Sequence, residues 1–319
     1  MRWSSNVLLM AALATGVACQ QSHAQWTVRV LSTPASENST AYAGWGNAAA
    51  GEVSLNGIQA RAALWNLSTG TRTNLHPTGA TNSQVSAMDG SMQVGYAEFD
   101  LNTYAGIWTG TAASWIPLHP IAATSSRLLD VSNGQQVGWA AVNGNQHASL
   151  WASTDFSWVD LNPTGAATST AYCVHAGEQG GSATIGGGIR AGIWRSSAAS
   201  WVLLHPTGSA TESAIYGTWN GQQVGYIRVP VQGIQATLWS GTAASRVNLH
   251  PAGASASYAM DICEGYQVGY RVVGTLNKAC TWRGTAASFD DLHQFVPTNF
   301  STSIAIKAWR QGQKLYISG

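Results

Sequence analysis

The sequence contains few charged residues. Only 9% of its 319 residues are Asp, Glu, Lys or Arg, and the formal net charge is +1, whereas an average soluble domain has roughly 25% charged residues. No basic run is present, so the chain lacks the clustered Lys and Arg with which nucleic-acid-binding proteins neutralise phosphates. Disorder is also excluded, because disordered chains are poor in aromatic residues and this one has 15 Trp.

Long apolar runs are also absent. A membrane-spanning helix needs about 20 consecutive apolar residues, and no stretch of the chain reaches that length. Near the N-terminus, Arg2 precedes an apolar stretch from Val7 to Ala18, and Ser22-His23-Ala24 has the small-x-small pattern of a signal-peptidase site. We predict a signal peptide over residues 1–24, no transmembrane segment, and a secreted or periplasmic mature chain. Cleavage before Cys19 would instead produce an outer-membrane lipoprotein, and this alternative stays open.

Cysteine is scarce too, with four in the chain. Cleavage after Ala24 leaves an odd number, Cys173, Cys263 and Cys280. Cys263 and Cys280 fall on the first and third strands of one repeat unit, which places them about 9–10 Å apart, and a disulfide needs Cα atoms within about 7 Å. We expect buried thiols and no disulfide.

What the sequence does contain is an internal repeat. Six tryptophans are separated by 43, 43, 43, 45 and 43 residues, and six leucines, most of them opening Leu-His-Pro, show the same spacings. The two sets are Trp65, Trp108, Trp151, Trp194, Trp239 and Trp282, and Leu75, Leu118, Leu161, Leu204, Leu249 and Leu292. A 13-residue block that begins with Ser and usually ends Gln-Val-Gly recurs in step with them. The chain is therefore built from one unit of about 43 residues.

The sequence pattern of each unit predicts four short strands joined by turns such as Asn220-Gly221. Asn and Gly readily adopt the positive φ angles that a tight hairpin turn needs. Four strands in this length are typical of a β-propeller blade. A seventh Ser block starts at Ser303, and Trp26–Leu31 resembles an isolated fourth strand. We predict an all-β, seven-bladed β-propeller as a single domain over residues 25–319, in which this N-terminal strand joins the C-terminal partial blade. A six-bladed ring with frayed ends, or an open array, is the alternative.

The repeat resembles a known family. The Ser block, followed by His147-Ala148-Ser149-Leu150-Trp151, is similar to the bacterial extracellular repeats called HAF-type, named for a His-Ala-Phe segment at this position. The resemblance covers nearly the whole mature chain, although Leu, Ile or Thr replaces Phe and His occurs in one unit only. It implies export and a propeller-like fold, and it implies no activity.

Five histidines recur once per unit at the end of the fourth strand: His76, His119, His205, His250 and His293. Strands lie about 4.8 Å apart, so the outermost strand lies far from the axis of the ring. One metal ion needs ligands at about 2 Å. We therefore expect no metal and no cofactor, and predict that each ring bonds a backbone group at a blade junction. The repeated tryptophans are predicted to pack blade against blade.

The positions that break the repeat are the candidates for function. Aromatic residues follow Val-Gly in four units but are replaced by Glu52 and Ser182 in two others, and they precede loops that vary from unit to unit. Binding residues are often carried by loops on a rigid scaffold. The candidate ligand-binding residues of this group are Tyr96, Glu98, Asp100, Trp139, Tyr226, Arg228 and Tyr270. Solvent-exposed variation is the alternative interpretation.

Another irregular column is the fifth residue of the Ser block. It is small in four units and charged in three, as Asp130, Asp261 and Lys307. If the first strand lines the central channel, Asp130 and Asp261 belong to a polar site at its mouth. The alternative is an ion pair between Asp261 and Lys307 on neighbouring blades.

No linear catalytic motif is present. We predict a secreted, non-enzymatic binding or surface-interaction module, lectin-like and specific for a neutral glycan or cell-surface component, and monomeric. The uncharged Ser/Thr/Asn/Gly surface and the aromatic residues suit stacking on sugar rings. A propeller glycoside hydrolase or lyase using Asp130, Asp261 or Glu98, and a purely structural extracellular repeat protein, are the alternatives.

Overall fold

The computed structural model describes residues 26–31, 37–55, 59–152 and 157–319. The predicted signal peptide and Cys19 lie outside these residues. The described residues form β-strands and single-turn 3-10 helices, and none of their helices is long and apolar enough to span a membrane. The 3-10 helices are Ala112–Ser114, Ala198–Ser200, Ala243–Ser245, Ala286–Ser288 and His293–Phe295.

Within the described ranges, the strands form six four-stranded antiparallel sheets, each built from four consecutive strands. Blade 1 contains β1 (Glu37–Trp45), β2 (Ala48–Leu55), β3 (Gln59–Asn66) and β4 (Arg72–Asn74). Blade 2 contains β5 (Asn82–Asp89), β6 (Met92–Phe99), β7 (Asn102–Trp108) and β8 (Ile116–Pro117). Blade 3 contains β9 (Ala123–Ser132), β10 (Gln135–Val142), β11 (Asn145–Ala152) and β12 (Ser157–Asp160).

The other three blades repeat this order. Blade 4 contains β13 (Thr168–His175), β14 (Glu178–Ile185), β15 (Gly188–Trp194) and β16 (Val202–Leu203). Blade 5 contains β17 (Glu212–Trp219), β18 (Gln222–Val229), β19 (Gly233–Trp239) and β20 (Val247–Asn248). Blade 6 contains β21 (Ala256–Cys263), β22 (Tyr266–Val273), β23 (Leu276–Trp282) and β24 (Asp290–Asp291). The predicted all-β propeller of four-stranded blades is confirmed.

The first, inner strand of every blade carries a bulge at the same place. In blade 5 the register shifts between Ile215 and Gly217, which leaves Tyr216 as the extra residue. A bulge redirects the side chain of the residue that it adds. The last glycine of the Ser block lies opposite this point: a Cβ at Gly225 would approach the carbonyl oxygen of Ala214 to 1.9 Å. The glycine that ends the Gln-Val-Gly segment is therefore required because the two strands approach closely at this point.

Five of the six repeated tryptophans pack on the preceding blade, whereas Trp65 of blade 1 clusters with Val53 and Ala63 of its own blade and with Leu31. Trp151 of blade 3 is 1% exposed and lies in one cluster with Ala87, Val94 and Leu118 of blade 2. Its indole Nε1 donates to the carbonyl oxygen of Leu118 over 2.8 Å. The equivalent tryptophans of the other blades are equally buried. The predicted blade-to-blade packing is confirmed for the five tryptophans of blades 2 to 6.

The repeated histidines complete a hydrogen-bonded junction. Ser83 of blade 2 accepts the backbone N–H of Ala62 in blade 1, while the ring of His76 bonds Ser83 Oγ over 2.7 Å and the carbonyl oxygen of Ala80 over 3.0 Å. Burial lowers the pKa of His76, which favours the neutral ring that these bonds use. The same His–Ser bond joins His119 to Ser126, His205 to Ser213, His250 to Ser257 and His293 to Ser303. The predicted bond between ring and backbone is present for His76, His119, His205 and His250, whereas the second ring nitrogen of His293 lies 2.7 Å from Lys278 Nζ instead.

The prediction of seven four-stranded blades is wrong. The described residues contain six such blades, and the C-terminal segment forms only a two-stranded sheet of β25 (Lys307–Gln311) and β26 (Lys314–Ser318). This hairpin lies between blades 6 and 1, because β25 contacts both β21 and β1.

The N-terminal residues 26–31 form no strand with the hairpin. Trp26 packs beside Leu315 and Ile317 and donates to Asp290 of blade 6, while Leu31 packs on Trp65 of blade 1. Side chains therefore hold the segment at both ends, on different blades. This anchoring explains why its alternating pattern does not produce a third strand in the hairpin sheet.

Candidate functional site

The charged residues of the irregular column meet at the axis of the propeller. Lys307 Nζ lies 3.1 Å from Asp130 Oδ1 and 3.6 Å from Asp261 Oδ1. The second oxygen of each carboxylate accepts a backbone N–H over 2.9 Å, from Val174 for Asp130 and from Ala308 for Asp261. We call these three charged residues the axial triad. The alternative prediction of an ion pair between Asp261 and Lys307 is confirmed, and Asp130 joins it from blade 3.

The axial triad places two buried acids beside one base, Lys307, whose side chain is 28% exposed. Asp130 and Asp261 are 5% and 4% exposed. Burial raises the pKa of Asp261 to about 6. Burial alone would lower the pKa of Lys307, but Asp130 and Asp261 outweigh it and raise that pKa. Each carboxylate is therefore paired with Lys307 and with a backbone N–H, as expected for buried charges that link blades of the ring.

The three cysteines of the described chain are free and buried. Cys263 lies on β21 and Cys280 on β23, with β22 between them, as predicted. Cys173 lies on the inner strand of blade 4, in the same repeat column as the axial triad. Burial raises the pKa of Cys173 and of Cys280 well above the ordinary thiol value, so neither is an activated nucleophile.

A second cluster consists of aromatic rings on blades 4, 5 and 6. The chain of contacts runs from Tyr172 through Tyr216, Tyr226 and Tyr258 to Tyr270, with successive ring centroids 5.2, 5.7, 5.5 and 4.8 Å apart. We call these five residues the tyrosine arc. The last pair is stacked with an interplanar angle of 19°. Four of the five rings are only half-buried.

Four hydroxyls of the tyrosine arc, those of Tyr216, Tyr226, Tyr258 and Tyr270, have a pKa above the ordinary tyrosine value. Burial, assisted by neighbouring groups, raises the pKa of Tyr226 and of Tyr270 to about 12 and that of Tyr216 further. None of the arc's hydroxyls bonds to another described residue. The arc therefore combines stacked rings with hydroxyls that are free to bond to a ligand.

A cavity of about 130 Å³ adjoins the arc between blades 4 and 5. Its lining consists of hydroxyl side chains, tyrosines and two aliphatic residues, and no charged side chain belongs to it. The lining residues are Thr168, Ser169, Thr170, Tyr172, Ser182, Thr184, Ile189, Ala214, Tyr216 and Tyr226. The cavity is partly open to solvent.

Two repeat columns explain why the cavity lies here. The residue after Val-Gly in one blade faces the residue after the block Ser in the next blade, as in the contacts of Tyr96 with Arg127 and of Tyr226 with Tyr258. Between blades 4 and 5 these two positions are Ser182 and Ala214. Both side chains are small, whereas at least one large side chain occupies these positions in the other gaps between four-stranded blades, as Trp139 does opposite Thr170. The space between blades 4 and 5 therefore stays open. In the sequence, the cavity is indicated by small residues at both facing positions. Only Ser182 was singled out above, as a break in the aromatic column.

Three further predicted residues, Tyr96, Glu98 and Trp139, lie in a separate cluster on blades 2 and 3. The guanidinium of Arg127 lies 4.0 Å from the ring centroid of Tyr96 and 5.9 Å from that of Trp139. Glu98 lies 3.5 Å from Arg127 and accepts a hydrogen bond from Asn82 over 2.8 Å. The charged and polar groups of this cluster are therefore paired with one another within the fold. Arg127, which lies at the centre of this cluster, is not among the residues predicted from the sequence.

Two other candidates lie at the surface. Asp100 adopts a positive φ of 46° in the turn between β6 and β7. Arg228 pairs with Glu212 of its own blade over 2.9 Å. Of the predicted site residues, the structure thus brings Tyr226 and Tyr270 into the tyrosine arc, and Asp130 and Asp261 into the axial triad.

No family model and no curated protein matches the chain. Among solved structures, it is similar to the β-propeller domain of the trilobed protease from Pyrococcus furiosus (8% identity, TM-score 0.57, 77% of this chain and 78% of that one). It is also similar to YCF48 bound to D1 peptide (14%, 0.54, 84% and 85%) and to prolyl oligopeptidase B from Galerina marginata (11%, 0.56, 84% and 42%). The chain spans less than half of the oligopeptidase. At these identities the similarity shows the propeller fold alone.

Proposed function

We propose that the protein is a non-catalytic binding propeller that holds a neutral glycan against the tyrosine arc and the cavity between blades 4 and 5. One observation carries the proposal: three contiguous rings of the tyrosine arc, Tyr172, Tyr216 and Tyr226, line an uncharged cavity together with Ser and Thr hydroxyls. A sugar ring offers an apolar face that packs on aromatic rings and hydroxyls that exchange hydrogen bonds with such a lining.

The charge of the site supports a neutral ligand. The cavity has no charged lining residue, and burial raises the pKa of Tyr226 to about 12. A charged ligand would lose its hydration there without gaining an opposite charge. A neutral polyol meets donors and acceptors only, which favours a neutral glycan over an acidic one.

The contacts of the candidate carboxylates favour binding over glycoside hydrolysis. Such hydrolysis commonly uses two carboxyl groups that flank the scissile bond. Asp130 and Asp261 bond Lys307 and backbone N–H groups, and Glu98 bonds Asn82 and pairs with Arg127. Each carboxylate is therefore held by the fold, and none of them lines the cavity.

We also propose that the protein is exported. The signal sequence over residues 1–24 and the resemblance to HAF-type repeats support an extracellular or periplasmic location. The mass of the mature protein tests this proposal. A chain that begins at Gln25 supports secretion, a lipid-modified Cys19 supports the lipoprotein alternative, and an uncleaved chain would refute export.

A glycan array probed with the full protein tests the binding function. We expect neutral glycans to bind the wild type, and Tyr270→Ala to lose this binding because it removes the stacked ring at the end of the arc. Tyr266→Ala is the matched control, since Tyr266 is a half-buried tyrosine at the start of the same strand, four residues before Tyr270. Absence of any bound glycan, or an equal loss in both variants, would refute the proposed site.

A further inference from the structure

We infer that the cavity between blades 4 and 5 receives the end of a glycan chain, a terminal residue or a single-residue branch, while the tyrosine arc carries the residues that follow. This inference rests on the proposed function and specifies its ligand. It follows from the closure of the cavity on two sides, from its size, and from its continuity with the arc.

The cavity is closed on the side away from the inner strands. Ser182 pairs with Ala191 of the third strand, and Ala191 is fully buried. The backbone N–H of Ala191 donates to Ser213 Oγ of blade 5 over 2.8 Å, and the ring of His205 bonds the same oxygen over 2.7 Å. This junction ties the two blades together beside the cavity, so a chain cannot pass outward between them.

The cavity is also closed along the inner strand. The side chain of Ile215, which follows Ala214, packs so closely on blade 4 that a Cβ at Gly180 would lie 2.8 Å from its Cγ2 atom and 2.7 Å from Cys173 Sγ. Ile215 and Cys173 are 0% and 1% exposed. A polymer therefore has no route through the gap, and only a chain end or a short branch fits.

The size of the cavity limits its occupant to one residue. Its volume is about 130 Å³, whereas pockets for drug-sized ligands measure about 300–1,000 Å³. Tyr216 and Tyr226 line the cavity and also belong to the arc, which continues to Tyr258 and Tyr270. A terminal sugar in the cavity thus places the next residue over the stacked rings.

Ser182 determines the specificity in this arrangement, because its small side chain keeps the gap open. Ser182→Tyr introduces the side chain that blades 2, 5 and 6 carry at the same repeat position, so the fold already accommodates it elsewhere. Glu52→Tyr is the matched control, since it places the same side chain at the equivalent position of blade 1. Thr184→Val removes one cavity hydroxyl, which bonds Thr168 Oγ1 over 2.9 Å, at nearly constant volume. It is the second variant if Ser182→Tyr does not fold.

The experiment measures competition against the neutral glycan that the array selects, using its tri- and hexasaccharides and the free monosaccharide of its terminal residue. We expect the two oligosaccharides to inhibit equally per mole, because each has one such end, and we expect the monosaccharide to inhibit too. Ser182→Tyr should weaken oligosaccharide binding about tenfold or more and Thr184→Val about threefold. Glu52→Tyr should bind like the wild type.

The outcomes separate this inference from the proposed function. If inhibition rises from the trisaccharide to the hexasaccharide, or if Ser182→Tyr and Thr184→Val bind like the wild type while Tyr270→Ala loses binding, the arc recognises internal segments and the inference is refuted. If the wild type binds no glycan, the inference and the proposed function both fail.

Discussion

Replacing Lys307 with Met tests the axial triad. The substitution removes the single ammonium that lies between Asp130 and Asp261 and leaves a side chain of similar length. Both carboxylates are nearly inaccessible to solvent, at 5% and 4% exposure. Removing one partner of such a buried pair typically costs about 3–5 kcal/mol, a large part of the roughly 5–15 kcal/mol that stabilises a domain.

Urea denaturation followed by tryptophan fluorescence measures this loss. At pH 8 we expect Lys307→Met to reduce the free energy of unfolding by about 3–5 kcal/mol. The deficit should narrow at pH 5, because burial raises the pKa of Asp261 to about 6 and protonation then neutralises this carboxylate. Asp261→Asn is the matched control: it keeps an oxygen for the N–H of Ala308 and leaves Lys307 paired with Asp130. A Lys307→Met protein as stable as the wild type at pH 8 would refute the role of the triad.

Three further predictions concern the pH dependence, the blade junctions and the blade packing. The pKa of Asp261 is about 6 in the folded protein and about 3.9 in an unfolded chain. The folded state therefore binds this proton more tightly, so protonation of Asp261 stabilises the fold fully below about pH 4. This contribution is lost as the pH rises through 6. Asp261→Asn should flatten this part of the stability–pH curve, and an unchanged slope would contradict the assignment. His76→Ala should cost about 1–2 kcal/mol in chemical denaturation, because Ser83 and Ala80 lose their partner, and a chelator should leave the melting temperature unchanged. Trp151→Ala should cost about 3–5 kcal/mol, since its ring is buried between blades 2 and 3, and a loss below about 1 kcal/mol would refute the packing role.

The repeat made the blades, their tryptophan contacts and their histidine junctions predictable. Each of these features uses the same residues once per unit, so the spacing of Trp65, Trp108 and Trp151 already contains the geometry. The junction follows in the same way, because His76 and Ser83 recur in step with the strands that they join.

The closure of the ring was not predictable from the repeat. The alternating residues from Trp26 to Leu31 match a fourth strand, but contacts of Trp26 with Asp290 and of Leu31 with the Trp65 cluster hold them on different blades. Local pattern does not report such long-range anchors. The pairing of Lys307 with Asp130, 177 positions apart, depends on the same closure across the axis.

The cavity was only half visible in the sequence. Ser182 breaks the aromatic column, but a missing aromatic residue opens a gap only if the facing residue of the next blade is also small. Ala214 meets this condition, whereas Arg127 covers Tyr96 between blades 2 and 3. Finding the site from sequence requires the two columns to be compared across neighbouring units.

A crystal structure of the protein with the best-binding neutral oligosaccharide would locate the ligand directly. We expect the terminal sugar to lie between Ser182 and Ala214 and to contact the ring of Tyr226, with the next residue over Tyr258 and Tyr270. An oligosaccharide bound elsewhere, for example at Arg127, with the cavity between blades 4 and 5 empty, would contradict this expectation.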